Sequence, residues 1–482
     1  ILPGVSPFSY VTSADYNNDG RLDILETGFS ASEEGSNSKL YDSFIEKFNG
    51  ENLFPKFRLN RVAGLPSSRG RAAWGDYDND GKLDVLLNVP NSNGFTSVKL
   101  YRNLGDGIFE DGLRYPLNNA TTNETTRDFF SSIAWGDYNN DGKLDILVTS
   151  EDTSGKPIVK VYRNDLPRDG SSGSDGFFSD SGLQIPGLRY GQASWGDYDN
   201  DGKLDILLTG RNHRYEEDAA QGAAHFITKV YHNTSSIDSD SFDSTYSGLQ
   251  QLPAPYFDAY WPDAAWGDYD NDGKLDFFAN NKIYRSNTAN ANTPPSRPTG
   301  LTVEPDDRNV TFKWNRATDA QTPSLGLSYN LRVGTTSGGQ DILSPMSLND
   351  GTRQLAGLGN VNQNTRWQLK DLPPGKYYWS AQAIDTAWAG SQFATEGTFT
   401  VGNRPPEEKI SLGGTYTNFN EAIKDVYTDP DGDPISYRLT LLDGSPLELS
   451  DNSNINWLGL QFNSPTNEIR FIGTPPSGAQ PF

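Results

Sequence analysis

Short apolar runs alternate with clusters of Gly, Asn and Asp along the whole chain, and no stretch of helix length carries apolar residues at a 3.6-residue period. This pattern predicts many short strands joined by tight turns. Segments such as SVKLYRN from Ser97, IVKVYRN from Ile158, ITKVYHN from Ile227 and KIYRSN from Lys282 alternate as half-buried strands do. The runs LDVLL and LDILV are instead continuous in Leu and β-branched residues, which predicts strands buried on both faces.

The strand pattern repeats. Five related units read SADYNNDGRLDIL from Ser13, WGDYDNDGKLDVL from Trp74, WGDYNNDGKLDIL from Trp135, WGDYDNDGKLDIL from Trp195 and WGDYDNDGKLDFF from Trp266. Their first aspartates fall at 15, 76, 137, 197 and 268, so successive differences are 61, 61, 60 and 71. A further element follows in three units: GIFEDGLRYPL from Gly107, GFFSDSGLQIPGL from Gly176 and SFDSTYSGLQQLP from Ser241. Counting the strands before and after each loop, every complete unit supplies four strands, the content of one propeller blade. The last unit stops after its third strand, at Asn287, while the N-terminal ILPGVSPF reads as the exit of a fourth. Either the two ends complete one blade between them, or upstream blades have been removed.

Each loop carries side-chain oxygens at positions 1, 3, 5 and 9, Gly at 6 and an available carbonyl at 7. Hard oxygen donors at this density suit Ca2+. The expected ligands are Asp15, Asn17, Asp19, the Arg21 carbonyl and Asp23; Asp76, Asp78, Asp80, the Lys82 carbonyl and Asp84; Asp137, Asn139, Asp141, the Lys143 carbonyl and Asp145; Asp197, Asp199, Asp201, the Lys203 carbonyl and Asp205; and Asp268, Asp270, Asp272, the Lys274 carbonyl and Asp276. Asn17 and Asn139 offer a neutral oxygen and weaken their loops. An EF-hand would need a bidentate Glu at position 12 and flanking helices. That position holds Leu87, Val148, Leu208 and Ala279, with Glu26 only in the first loop, so the loops are read as hairpin connections.

These motifs resemble the FG-GAP or VCBS repeat family, which includes the integrin α-subunit propeller and many bacterial and cyanobacterial surface proteins. The resemblance covers residues 1–290 and implies a calcium-binding β-propeller with the ion in the hairpin between the first two strands of each blade. Five blades are visible where the family commonly has seven, and Ser13 and Ala14 replace Trp-Gly in the first. Trp74, Trp135, Trp195 and Trp266, with Tyr16, Tyr77, Tyr138, Tyr198 and Tyr269, are read as packing between blades.

A Pro/Asn/Thr-rich linker (291–296) then ends the repeat. Residues 297–402 resemble a fibronectin type III sandwich, with Pro298, Leu301, Val303, Trp314, Tyr329, Leu331, Leu372 and Tyr377 at core and tyrosine-corner places. Residues 403–482 resemble a cadherin-like or dystroglycan-type sandwich, apparently incomplete, in which Asp429, Asp431 and Asp433 of DPDGD are candidate calcium ligands or an ordinary turn. The fold class expected is all-β: a calcium-binding β-propeller followed by two β-sandwich domains.

Composition narrows the function. The 482 residues exceed what one hydrophobic core serves. A formal charge of −23, with 63 acidic against 40 basic residues, speaks against nucleic-acid binding and accords with carboxylates used as metal ligands. Without Cys there are no disulfides, thiolate metal sites or cysteine nucleophile, so bound calcium is the expected source of rigidity. No run approaches the roughly 18 apolar residues of a membrane span. The chain begins at Ile1 with no leader, which fits a processed or excised segment. No coherent catalytic group is present: His213, His225 and His232 are read as polar surface residues rather than a zinc site. The leading expectation is a non-enzymatic extracellular surface protein serving adhesion or matrix or filament assembly, its partners being other surface or matrix proteins, glycans or copies of itself. The alternatives are a calcium-dependent lectin, with Tyr260, Trp261, Pro262 or Trp388 as a sugar platform, and an accessory region of a glycan-degrading enzyme. Sequons at Asn119, Asn123, Asn233 and Asn309 permit glycosylation.

Overall fold

A computed structural model describes residues 9–30, 35–48, 51–60, 64–68, 70–90, 96–112, 132–151, 157–166, 178–183, 185–211, 226–235, 242–243, 264–279, 282–402, 407–408, 427–428, 436–439, 459–463 and 468–472. Among them the regular elements are all β-strands.

The repeats form five successive sheets. The first is β1 (Ser9–Ala14), β2 (Asp23–Ser30), β3 (Gly35–Phe48) and β4 (Glu51–Leu59), in that order. The second is β5 (Ala72–Gly75), β6 (Asp84–Pro90), β7 (Thr96–Gly105) and β8 (Ile108–Asp111). In the third, β9 (Ile133–Gly136), β10 (Asp145–Glu151), β11 (Pro157–Asn164) and β12 (Phe178–Asp180) are joined by the short β13 (Ile185–Pro186), which pairs with β11. The fourth is β14 (Arg189–Gly196), β15 (Asp205–Arg211), β16 (Phe226–Asn233) and β17 (Phe242–Asp243). The fifth has three described strands, β18 (Ala264–Gly267), β19 (Asp276–Ala279) and β20 (Lys282–Tyr284), the early stop that the sequence predicts. The N-terminal segment expected to complete a blade lies outside the described residues.

Every aspartate loop is a hairpin between the first two strands of its sheet. The residue just before the loop pairs across it with the position-9 aspartate: Ala14 with Asp23, Gly75 with Asp84, Gly136 with Asp145, Gly196 with Asp205 and Gly267 with Asp276. Position 12 then falls within the second strand, where Leu87, Val148, Leu208 and Ala279 are all buried. This geometry excludes the EF-hand.

The first strands of successive sheets are neighbours, β1 beside β5, β5 beside β9, β9 beside β14 and β14 beside β18. The second strands of the three middle sheets, β6, β10 and β15, therefore have a sheet on either face. Alternate residues point to opposite faces. Val85 and Leu87 join the core containing Tyr16, Leu25 and Leu40, whereas Leu86 joins the core of Tyr77, Ile146 and Val148. Continuous apolar runs follow from this double burial.

Beyond the repeats, β21 (Thr299–Asp306), β22 (Asn309–Asn315) and β24 (Arg366–Leu369) form one three-stranded sheet, and β23 (Ser328–Gly334), β25 (Gly375–Ile384) and β26 (Gly397–Val401) form another. The chain divides into two compact units. One gathers Ile1–Glu304 with Thr311–Lys370 and Tyr378–Thr398, and so holds the repeats together with Trp314, Tyr329 and Leu331. The other comprises Pro305–Val310, Asp371–Tyr377 and Phe399–Phe482. In the second unit Tyr377 stacks on Phe399 with centroids 5.2 Å apart and donates its hydroxyl to the Pro373 carbonyl. There too, β27 (Glu407–Glu408) pairs β28 (Tyr427–Thr428), and β31 (Glu468–Ile472) lies between β29 (Ser436–Leu439) and β30 (Gly459–Asn463).

Candidate metal centre

The five loops share one backbone. Position 4 is a left-handed asparagine in each: Asn18, Asn79, Asn140, Asn200 and Asn271, with φ from 56° to 62°. Asn tolerates this region better than other non-glycine residues, and the glycine two residues later, such as Gly81 at φ 86°, completes the reversal. The position-1 carboxylate organises the turn by accepting two backbone N–H groups. Asp76 accepts Asp80 N–H on Oδ1 (3.0 Å) and Gly81 N–H on Oδ2 (2.8 Å). Asp15, Asp137, Asp197 and Asp268 do the same in their loops. The position-5 aspartates accept the position-7 N–H, as Asp80 does from Lys82 at 2.9 Å.

The position-9 aspartate ties the loop to the third strand. Its Oδ1 accepts the N–H of Ser43, Asn103, Asn164, Asn233 or Ser286 at 2.7–2.8 Å. In loops two to five its Oδ2 also accepts the N–H of Tyr77, Tyr138, Tyr198 or Tyr269. These aspartates are at most 1% exposed.

In the second, fourth and fifth loops the structure brings three of the expected acidic ligands together. One oxygen each of Asp76, Asp78 and Asp84 lies within 4.8 Å of the others, and the same holds for Asp197, Asp199 and Asp201, and for Asp268, Asp270 and Asp272. The first and third loops use Asn17 and Asn139 at position 3 and keep the same hairpin, with Asp19 and Asp141 N–H donating to the amide oxygens. Among the expected ligands, two buried carboxylate oxygens have no hydrogen-bond partner among the described residues: Asp199 Oδ1, on a residue 7% exposed, and Asp23 Oδ2, on a residue 1% exposed. Unpaired carboxylate oxygens in buried positions are costly unless something else binds them. The donor set expected from the sequence is all hard oxygen and fits Ca2+; in the fourth loop a nitrogen of His232 also lies within 4.8 Å of oxygens of Asp199 and Asp205. Asp429, Asp431 and Asp433 lie outside the described residues.

Electrostatics point the same way. Burial pushes Asp15 and Asp23 each up to about 8, with Asp19 adding to the rise at Asp15. Burial, then neighbouring carboxylates, holds Asp76, Asp84, Asp145 and Asp197 well above the ordinary range. A bound divalent cation reverses this by supplying the missing positive charge.

Nearby cations supply part of it. Arg102 on β7 reaches Asp78 (2.8 Å) and Asp80 (3.2 Å), and Arg285 reaches Asp270 (2.6 Å) and Asp272 (2.9 Å). His232 Nδ1 lies 3.4 Å from Asp199 and 3.3 Å from Asp205, and its pKa rises to about 9, chiefly through the Asp205 contact. Lys82 also pairs with Asp80. In the third loop position 3 is the neutral Asn139, and Arg163 pairs with Asp165 instead (2.8 Å).

Two sets of residues that sequence reasoning missed join the repeats. Asn103, Asn164 and Asn233 close the third strands, and each Nδ2 donates to the tyrosine carbonyl of the preceding loop and to a leucine carbonyl of its own. Asn103 reaches Tyr16 O (2.8 Å) and Leu83 O (3.0 Å); Asn164 and Asn233 repeat the pattern on Tyr77 and Leu144, and on Tyr138 and Leu204. The position-4 asparagines reach forward: Asn18 to Gly81 O, Asn79 to Gly142 O and Asn140 to Gly202 O. Their recurrence at fixed places in YRN, YHN and NNDG or DNDG was the available signal.

The packing role of the aromatic residues holds in four loops. Tyr16 stacks on Trp74 (5.9 Å, 17°) and Tyr138 on Trp195 (6.1 Å, 7°). A Cβ on Gly75, Gly136 or Gly196 would lie 2.5–2.8 Å from the indole of Trp135, Trp195 or Trp266, which explains the Trp-Gly pair. Tyr269, by contrast, is 55% exposed. Trp388 is buried at 7% exposure and joins the core with Trp195 and Leu188, so it offers no sugar platform. Tyr260, Trp261, Pro262, His213 and His225 lie outside the described residues. Asn233 is fully buried with its amide nitrogen engaged, so the folded chain withholds that sequon from modification. Asn119 and Asn123 lie outside the described residues.

The FG-GAP-like repeat profile matches residues 76–148 and 137–208, so this part of the chain consists of FG-GAP-like repeats. No curated protein matches. Among solved structures, a chain of the Photorhabdus luminescens Tc holotoxin pore aligns over 94% of this chain and 19% of its own length, at 14% identity and a TM-score of 0.33. The present chain thus spans about a fifth of that chain. No helix among the described residues is long and apolar enough to cross a membrane, which leaves β-barrel spans unaddressed.

Proposed function

We propose that the chain is a non-enzymatic, calcium-stabilised extracellular protein whose repeat region, a β-propeller or an arc of one, serves as a platform for adhesion or for matrix or filament assembly. The observation that carries the calcium reading is the convergence of three acidic side chains in loops two, four and five, with Asp199 Oδ1 buried and lacking a hydrogen-bond partner among the described residues. The ligands named by sequence are the residues that would hold the ion, and its contribution there is structural. Each loop fixes a hairpin that the next repeat packs against, so ion binding is transmitted to the whole stack. The assembly role draws on the fifth sheet, where Tyr269, Phe278 and Ile283 are 55%, 42% and 55% exposed although Tyr77 and Tyr138 are buried.

At free calcium tenfold above a site's dissociation constant, each site contributes about 1.4 kcal/mol, so five contribute about 7 kcal/mol. At about 2–4 °C per kcal/mol for domains of this size, chelation is expected to lower the melting temperature by more than about ten degrees. Calorimetric titration of the chelated protein with Ca2+ should return about five sites, with recovery of the lost stability. A melting curve indifferent to chelator and a flat titration would overturn the calcium reading.

A further inference from the structure

The loops do not only face one another. Within the first compact unit, side chains from the 297–402 region reach the position-1 aspartates of two loops. Asn364 Nδ2 donates to Asp76 Oδ2 at 2.8 Å, while Asn362 Oδ1 accepts the Asp76 N–H at 2.9 Å. At the fourth loop the Thr386 hydroxyl donates to Asp197 Oδ2 at 2.8 Å, and the Thr386 carbonyl accepts the Asp197 N–H at 3.2 Å. Thr386 is itself held by Thr322, whose Oγ1 lies 2.9 Å from its own. All six residues are buried, at 8% exposure or less. Lys370 N–H also donates to the Asn18 carbonyl (2.7 Å), and Gln321 packs so closely on the fourth loop that a Cβ on Gly202 would lie 2.0 Å from its carbonyl.

The division of labour on each carboxylate is informative. In both loops Oδ2 takes the glycine N–H and the side chain from the 297–402 region, whereas Oδ1 takes one backbone N–H. We propose that Asn362, Asn364 and Thr386 are positioning residues that orient Asp76 and Asp197 for the ion, so that calcium binding at loops two and four and docking of the segments Thr311–Lys370 and Tyr378–Thr398 of the same unit on the loop face reinforce each other. Outer-shell partners of this kind typically change metal affinity 10–100-fold. Linkage requires the effect to run both ways. This inference rests on the calcium reading above.

The test uses the full chain carrying Asn364→Ala and Thr386→Val, alongside wild type and the conservative Thr386→Ser. In calcium titrations two of the sites should weaken by about tenfold in the double variant, and the Ser variant should keep wild-type affinity at the fourth loop. In hydrogen exchange, segments 359–366 and 384–390 of wild type should be protected in calcium and exchange at least several-fold faster with chelator, a difference reduced in the double variant. Unchanged exchange in β23 serves as the control for folding. Titration without any binding in wild type would overturn the calcium reading and this inference with it. Normal wild-type binding, with affinities and exchange unaltered in the double variant, would overturn the inference alone.

Discussion

At the residue scale, the asparagines closing the third strands matter as much as the aspartates. Asn164 is fully buried and satisfies two carbonyls, those of the buried Tyr77 and Leu144. Leaving buried carbonyls unpaired costs about 1–3 kcal/mol. Asn164→Leu should therefore lower stability by about 2–4 kcal/mol, read as a shifted urea midpoint with little change in slope. Asp385 gives a second prediction. Burial raises its pKa to about 7, even though it accepts hydrogen bonds from Asn292 and Ala389. Between pH 4 and 7 the folded state then holds more protons than the unfolded state, so its contribution to stability is full below about 4 and is lost as pH rises through about 7. Urea unfolding at pH 5 and pH 8 should show wild type losing stability relative to Asp385→Asn as pH rises.

At the element scale, the stack is built by fitting the tryptophan of one repeat against the glycine of the previous one. Gly136→Ala would place a methyl 2.5 Å from the Trp195 ring and should cost about 1–3 kcal/mol, because a packed interior accommodates an added group only by shifting. Gly267 has nothing within 4 Å at the same position of the fifth sheet, so Gly267→Ala should be close to neutral in the same thermal melts. The strand content of the repeats was legible in the sequence because the loop pins it: a hairpin with positive φ at position 4 and a glycine at 6 leaves few other paths. The short β13 was not, because its pairing depends on where β11 lies rather than on its own two residues.

At the scale of the whole molecule, the loops differ in setting although their sequences barely differ. Asp76 and Asp197 are buried beneath residues of the 297–402 region, whereas the cluster of Asp268, Asp270 and Asp272 is half exposed or exposed. Exposed charges are better solvated and screened, and their interaction with an ion is weaker. Under the proposed calcium reading, the fifth loop should therefore release its ion first: as chelator rises, exchange of amides in 268–276 should accelerate before that in 76–84.

The sequence by itself determined the all-β class and the recurring hairpin and named the candidate oxygen donors, because those depend on local backbone chemistry that repeats five times. Position 12 and the strand-like runs after it excluded the helical alternative, since Leu87, Val148, Leu208 and Ala279 have no side-chain carboxylate to offer and only the first loop has Glu26 there. Tertiary structure alone decided which loops are covered, which tryptophans face another repeat, and that Trp388 and Asn233 are buried. The bonds of Asn164 to Tyr77, Asn364 to Asp76 and Thr386 to Asp197 join residues 87, 288 and 189 positions apart. The recurring YRN marks Asn164 as a position of interest, but the partner in each of these contacts is decided by packing between whole elements.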